Sequence, residues 1–199
     1  MLQSILKHPA TAFFGGMVVA VGGLAVALYS FTEPNQSAAD VGTYKDELSR
    51  IKGAPVDSAT QRRFGDFLSG IGDKKYVREN TAKIYAENAF LNDTLVTHRG
   101  AAEIEAYFLK TSDTMKGYHV TVDDVFQSGN DYYFRWTMVF SAPALADGEP
   151  IHSIGVSQVR FNDEGKVAFH QDFWDSGKNL FGHAPVAGGV IGFIRKRLD

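Results

Sequence analysis

The chain has 199 residues, a formal net charge of −3 and no cysteine. That combination excludes disulfides, thiol nucleophiles and Cys-ligated metals, and it argues against nucleic acid as a partner, since the one long basic run is the terminal Arg195-Lys196-Arg197. The length suffices for one domain with a real core, and no internal repeat is evident.

Residues 10–31, ATAFFGGMVVAVGGLAVALYSF, carry no charge. At about 1.5 Å per helical residue the run reaches roughly 33 Å, enough to cross a hydrocarbon core of about 30 Å. It is expected to be a transmembrane helix or signal anchor, preceded by a short cytoplasmic N-terminus at residues 1–9. A cleaved signal peptide is the alternative, with Lys7 as a thin positive start and Ala25-Val26-Ala27 or Ser37-Ala38-Ala39 as cleavage sites. Lys7 precedes the run and Lys45 is the next basic residue after it. The positive-inside rule therefore puts the C-terminal domain in the periplasm or elsewhere outside the cytoplasm.

Residues 32–57 turn polar and read as a linker, within which Tyr44 to Ile51 could form a short helix. Ser58 is the expected N-cap of a helix to about Gly70, with Phe64, Phe67, Leu68 and Ile71 at helical spacing. A second helix follows Asp73 and carries Tyr76, Val77, Ala82 and Ile84. A short strand covers Ala89 to Leu91, and Gly100 opens a third helix with Ile104, Tyr107 and Phe108 on one face. Beyond Gly117 the period becomes two. Segments near 118–127, 131–141, 150–161 and 166–174 are separated by glycine-containing turns, the signature of antiparallel hairpins. Helices followed by a meander make an α+β fold with helices packed on one face of a curved antiparallel sheet. Last comes Val186 to Ile194, apolar, too short to span a bilayer and followed by three cations; it either lies on a membrane surface or docks on the domain.

Several local patterns occur together: Tyr85-Ala-Glu-Asn-Ala-Phe-Leu-Asn-Asp93 leading into Gly100-Ala-Ala-Glu-Ile-Glu-Ala-Tyr-Phe108, then Trp136-Thr-Met138, Gly155-Val-Ser157, Arg160-Phe161 and Gly165-Lys-Val-Ala-Phe-His-Gln-Asp172. With them residues 58–199 resemble the SnoaL-like, or nuclear transport factor two-like, superfamily, which includes ketosteroid isomerase and limonene-epoxide hydrolase. The resemblance implies a cone-shaped sheet enclosing a pocket. In SnoaL-like cyclases a His-Trp-Asp run ends the corresponding strand and its acid is the base; the resemblance makes Asp172 that base and His170 its partner. Gln171 departs from the pattern. Trp174, Tyr85, Trp136, Met138 and Ser157 are the expected ligand-pocket residues; Trp136 and Met138 belong to an aromatic stripe for which ordinary core packing is the competing reading.

Strand alternation independently sends His170, Asp172 and Trp174 to one face. A carboxylate in an apolar pocket holds its proton more tightly, and a neighbouring imidazole can relay it, so the pair could abstract a proton beside a carbonyl. The competing reading is that the two side chains merely satisfy each other at a sheet end. The epoxide-hydrolase arrangement lacks its carboxylate, because Arg135 is followed by Trp136 and Thr137. For a ketosteroid-isomerase oxyanion hole, Tyr85, Tyr107 and Tyr133 are only nominal candidates.

No metal or other cofactor is expected. The expected partners are a small hydrophobic molecule, a membrane through residues 10–31 and a second copy pairing through the sheet. Two functions stay open: a membrane-tethered domain binding a small hydrophobic ligand, with isomerase, cyclase or hydrolase-type acid-base chemistry, and a non-catalytic membrane-anchored binding or assembly module.

Overall fold

Two aspartates set the first helix starts of the domain. Asp57, one residue ahead of the expected Ser58, accepts the backbone N–H of Thr60 at 2.8 Å and so begins the helix Ser58–Gly70. Asp73 accepts the backbone N–H groups of Lys75 and Tyr76 at 2.8 and 3.2 Å and begins Lys74–Ile84.

The computed structural model describes residues 36–143, 145–184 and 186–198, with side chains from residue 40 onward. The predicted membrane run at 10–31 lies outside them. Among the described residues no helix is long and apolar enough to cross a membrane. The chain divides into two units, residues 1–46 and 47–199. Of the first, only residues 36–46 are described, as the leading part of helix α1 (Gln36–Arg50).

In the second unit the order is α2 (Ser58–Gly70), α3 (Lys74–Ile84), β1 (Tyr85–Asn92), β2 (Thr97–Arg99), α4 (Ala101–Thr114), β3 (Lys116–Ser128), β4 (Asp131–Ser141), β5 (Ile151–Phe161), β6 (Val167–Trp174), α5 (Ser176–Asn179) and α6 (Ala187–Arg195). The six strands form one sheet in the order β2-β1-β6-β5-β4-β3. Neighbours are antiparallel except β1 and β6, which run parallel with Leu91 opposite His170. The sheet is therefore mixed, where the hairpin signals predict an antiparallel one. Register shifts between Val122 and Asp124 in β3 and between Arg160 and Phe161 in β5 bend the strands, giving a curved, open sheet.

Helices α2, α3 and α4 cover the concave face. Phe64 sits at the centre, with ring centroids 4.8 Å from Phe134 and 5.4 Å from His170, both edge-on. Burying a side chain of this kind contributes about 1.5–3 kcal/mol. Gly100 joins β2 to α4 at φ +85, and a Cβ there would lie 2.9 Å from the Glu87 carbonyl oxygen. Only glycine fits that junction without strain.

Residues 47–57, expected within the linker, are held against the sheet. Arg160 donates to the carbonyls of Leu48 and Ile51, each at 2.6 Å, while its other nitrogens grip Asp131. The backbone N–H of Val56 donates to the Tyr132 hydroxyl at 2.8 Å, and Ala54 bridges Phe161. At the other end of the chain α6 packs chiefly on the turn Phe181–His183, and none of its residues is buried.

Candidate functional site

Strand β6 delivers His170, Asp172 and Trp174 to the concave face, as alternation predicts, and all three line one cavity. Ser157 of β5 is directly opposite Asp172 in the ladder. Trp136 of β4 faces Gly155 across the same strand, and a Cβ on Gly155 would meet the indole at 2.4 Å. The missing side chain lets the ring lie flat enough for its Nε1 to donate to Ser157 Oγ at 2.9 Å.

These residues form a continuous hydrogen-bonded chain. Ser157 Oγ donates to Asp172 Oδ1 at 2.5 Å, His170 Nε2 meets the same oxygen at 2.8 Å, and the Tyr85 hydroxyl meets His170 Nδ1 at 2.8 Å. Tyr85 fixes the direction. Burial, reinforced by the negative charge of Asp172, pushes its phenol well above the usual range, so it keeps its proton. Nδ1 is the one acceptor that proton has among the described residues, so Nδ1 accepts and Nε2–H donates to Asp172. Asp172 thus has two donors on Oδ1. Its Oδ2 makes no hydrogen bond to a described residue and is not sealed from solvent.

The cavity has a volume of about 80 Å³, and its remaining wall is mainly apolar, including Leu91, Phe108, Met138 and Phe140. Two polar groups unremarked in the sequence reach it. Tyr118, on β3, has a hydroxyl without a hydrogen-bond partner among the described residues; burial and the charges of Asp172 and Asp93 raise its pKa above the normal tyrosine range. Asp93, given no site role in the sequence, accepts a short hydrogen bond from the Tyr107 hydroxyl and backbone N–H groups of Leu95 and Val96 at 2.9 and 2.8 Å. Trp174 Nε1 donates to the Asp93 carbonyl at 2.8 Å, tying this loop to the end of β6. Period-two alternation through Tyr118, Val120 and Val122 was the signal available for Tyr118; nothing local marked Asp93.

Of the sequence-predicted residues, the structure brings together Asp172, His170, Trp174, Trp136, Met138 and Ser157 on the cavity wall. Tyr85 stands behind His170 and does not line the cavity. Tyr133 points to the opposite sheet face, stacked on Phe126 at 5.1 Å. Among the described residues no group of three His, Asp or Glu side chains is placed to hold a metal ion.

Solved structures share this fold across several chemistries. A hypothetical protein with a ketosteroid isomerase-like fold from Catenulispora acidiphila, in complex with trimethylamine, is 14% identical with a TM-score of 0.54, over 67% of this chain and 98% of that one. A putative SnoaL-like polyketide cyclase from Shewanella putrefaciens is 11% identical with a TM-score of 0.53, over 64% and 97%. An epoxide hydrolase of limonene-epoxide-hydrolase type from M. tuberculosis is 13% identical with a TM-score of 0.52, over 71% and 99%. A hypothetical protein, a putative cyclase and an epoxide hydrolase at nearly equal similarity establish the fold and select no chemistry. No curated protein matches the sequence. The model of the SnoaL-like domain matches residues 70–170, just over half of the chain and ending two residues short of Asp172, so this protein belongs to the SnoaL-like domain family.

Proposed function

We propose that this domain binds a small, largely apolar carbonyl compound and transfers a proton through Asp172, as in an isomerase- or cyclase-type reaction. The observation that carries the reading is the half-used carboxylate. Oδ1 is fixed by Ser157 and His170 while Oδ2 is left for a ligand on the cavity wall. Abstraction of a C–H proton by Oδ2 would leave an enolate oxygen, to which the neutral Tyr118 hydroxyl can donate. His170, held by Tyr85, stabilises the carboxylate through Nε2–H and sets its orientation.

Volume limits the ligand. One water needs about 10–15 Å³ of such space, so about 80 Å³ admits a molecule of roughly five to eight heavy atoms. This is below the range of about 300–1,000 Å³ usual for drug-sized ligands, and it is the one observation favouring the second reading, a non-catalytic binding module.

Hydrogen–deuterium exchange separates the two. Cyclohexanone, with its acidic α-hydrogens, is incubated with full-length protein in D2O and followed by NMR. Exchange above the buffer rate is expected, falling about 10²–10⁴-fold in Asp172→Asn. No acceleration by a folded wild-type protein, across ketones of five to eight heavy atoms, would put the binding module ahead.

The membrane tether and the extracytoplasmic location belong to the same proposal and rest on the uncharged run at residues 10–31 and on Lys7. Alkaline carbonate extraction should leave the full chain in the membrane pellet. A mature N-terminus at Leu28 or Asp40 would replace the anchor with a cleaved signal.

A further inference from the structure

Helix α6 is the least accounted-for part of the domain. Val186, Val190, Ile194 and Leu198 follow one another at intervals of four, and Phe193 flanks the row, so they form one stripe along the helix and its flanks. All five are exposed, from 51% at Ile194 to 82% at Leu198. The stripe is far denser in large apolar side chains than the scattered exposed residues of an ordinary soluble surface. The helix meets the domain at the turn Phe181–His183, where a Cβ on Gly188 would lie 2.4 Å from the Gly182 carbonyl oxygen.

Charge and backbone composition narrow the occupant. Arg195, Lys196 and Arg197 stand at the end of the stripe, all exposed, and the Arg197 guanidinium lies 4.4 Å from the centre of the Phe193 ring. Gly189 and Gly192 have open space where a Cβ would be, so close packing within the domain does not require glycine there. A short glycine-containing helix is weak in water and gains most from a surface that buries its apolar face. An apolar stripe ending in a cluster of cations matches the boundary between acyl chains and anionic headgroups better than it matches a protein groove.

We infer that α6 is a membrane-surface helix. Its Val190-Phe193-Ile194 face enters the headgroup region of an anionic bilayer, and Arg195, Lys196 and Arg197 engage the lipid phosphates. The inference stands on α6 alone and holds whether or not the proposed proton transfer is correct.

The absence of cysteine makes the test clean, since one introduced thiol is the only labelling site. Full-length Val190→Cys, labelled with an environment-sensitive fluorophore, is combined with vesicles of 70% phosphatidylcholine and 30% phosphatidylglycerol. A label at Glu164→Cys, in the exposed β5–β6 turn, is the reference. The Val190 label should shift to the blue and be quenched by brominated acyl chains, while the Glu164 label stays aqueous. Pure phosphatidylcholine vesicles, or the triple change Arg195→Gln, Lys196→Gln and Arg197→Gln, should weaken helix insertion about 100-fold, on the usual contribution of each basic residue at an anionic surface. Because the labels report on α6 itself, attachment through residues 10–31 cannot mimic the result. A Val190 label that stays as aqueous as the reference on anionic vesicles overturns the proposal. So does a blue shift that appears without lipid and grows with protein concentration, which would identify a second copy of the chain as the occupant.

Discussion

Asp131 and Asp172 have equally exposed side chains, 18% each, on the same sheet and beside a nitrogen partner, yet they are differently used. Arg160 grips both oxygens of Asp131, Nε on Oδ1 at 2.6 Å and Nη2 on Oδ2 at 2.9 Å, with Gln158 adding a third bond at 2.8 Å. Asp172 receives both of its donors on one oxygen, and the other makes no hydrogen bond to a described residue. Saturation, more than burial, separates a carboxylate that holds a fold together from one available to a ligand. The two regions also rely on opposite charge states: the Asp131 clamp needs an anion, and the cavity needs neutral phenols.

Alkaline pH should therefore strain the cavity first and most. Burial is the largest cause that raises the phenol pKa of Tyr85, Tyr107 and Tyr118, and the charges of Asp172 and Asp93 add to it. A folded pKa raised above the unfolded value of about 10 contributes stability below pH 10 that is lost as pH rises toward the folded value. Three such groups, at about 1.4 kcal/mol per pH unit each, remove about 4 kcal/mol by pH 11. Urea denaturation from pH 8 to 11 measures this, and Tyr107→Phe with Tyr118→Phe should reduce the slope by about two thirds. A flat profile between pH 9 and 11 would show that the phenols are not confined as described.

At the other region, Asp131→Asn should cost about 3 kcal/mol, because an amide nitrogen must then face a guanidinium N–H and the Arg160 charge loses its partner. Acid should shrink the difference. Burial pushes the Asp131 carboxyl up, but the hydrogen bonds of Arg160 and Gln158 and the charge of Arg160 outweigh it and hold it below the usual range. The stabilisation is then complete above about pH 4 and disappears as pH falls through the lower folded value. The gap between wild type and variant should narrow steadily as pH falls below about 4 in the same urea titration. A gap that stays constant there would assign the loss to packing.

Local signals made much of this molecule legible. The four long strands fall within two residues of their predicted bounds because each hairpin has its own turn, and Phe64, Phe67 and Leu68 declare the buried face of α2 by spacing. The β1–β6 pairing had no such signal. It joins segments about eighty residues apart, and the burial of β1 lacks strict alternation because its register shifts between Tyr85 and Phe90. The site divided the same way. His170, Asp172 and Trp174 share a face by simple alternation, whereas the turn to Asp93 and the reach of Tyr118 depend on how α4 and β3 close over the sheet. Helix α6 leaves both of its expected placements open: it packs on the turn Phe181–His183, while its apolar stripe faces outward.

A smaller effect separates the layers of the site. Tyr85→Phe removes the proton donor to His170 Nδ1 and leaves a buried nitrogen unsatisfied, which should cost about 1–3 kcal/mol. Without that donor the imidazole is free to change tautomer. Nitrogen-15 NMR of the His170 ring should show the Nε2–H form in wild type and loss of that uniform state in the variant. An unchanged ring spectrum would mean that Asp172 alone fixes the imidazole.

The smallest expected change in stability comes from the substitution that should matter most for turnover. In Asp172→Asn the amide oxygen can take the place of Oδ1 and keep accepting from Ser157 and His170, while the NH2 group takes the place of Oδ2, where no described residue is displaced. The cost should be under about 1 kcal/mol, against about 3 kcal/mol for the same change at Asp131. Loss of the Asp172 charge should also ease ionisation of Tyr85 and Tyr118 in the folded protein, both of which it opposes; this narrows the gap to the unfolded value and can only reduce, never enlarge, their contribution to alkaline unfolding. Paired urea titrations of the two Asn variants at pH 7 and pH 10.5 measure both effects. Equal losses at the two positions would mean that Asp172 Oδ2 is bound into the fold as firmly as Asp131, and the distinction between a clamp and an available carboxylate would fail.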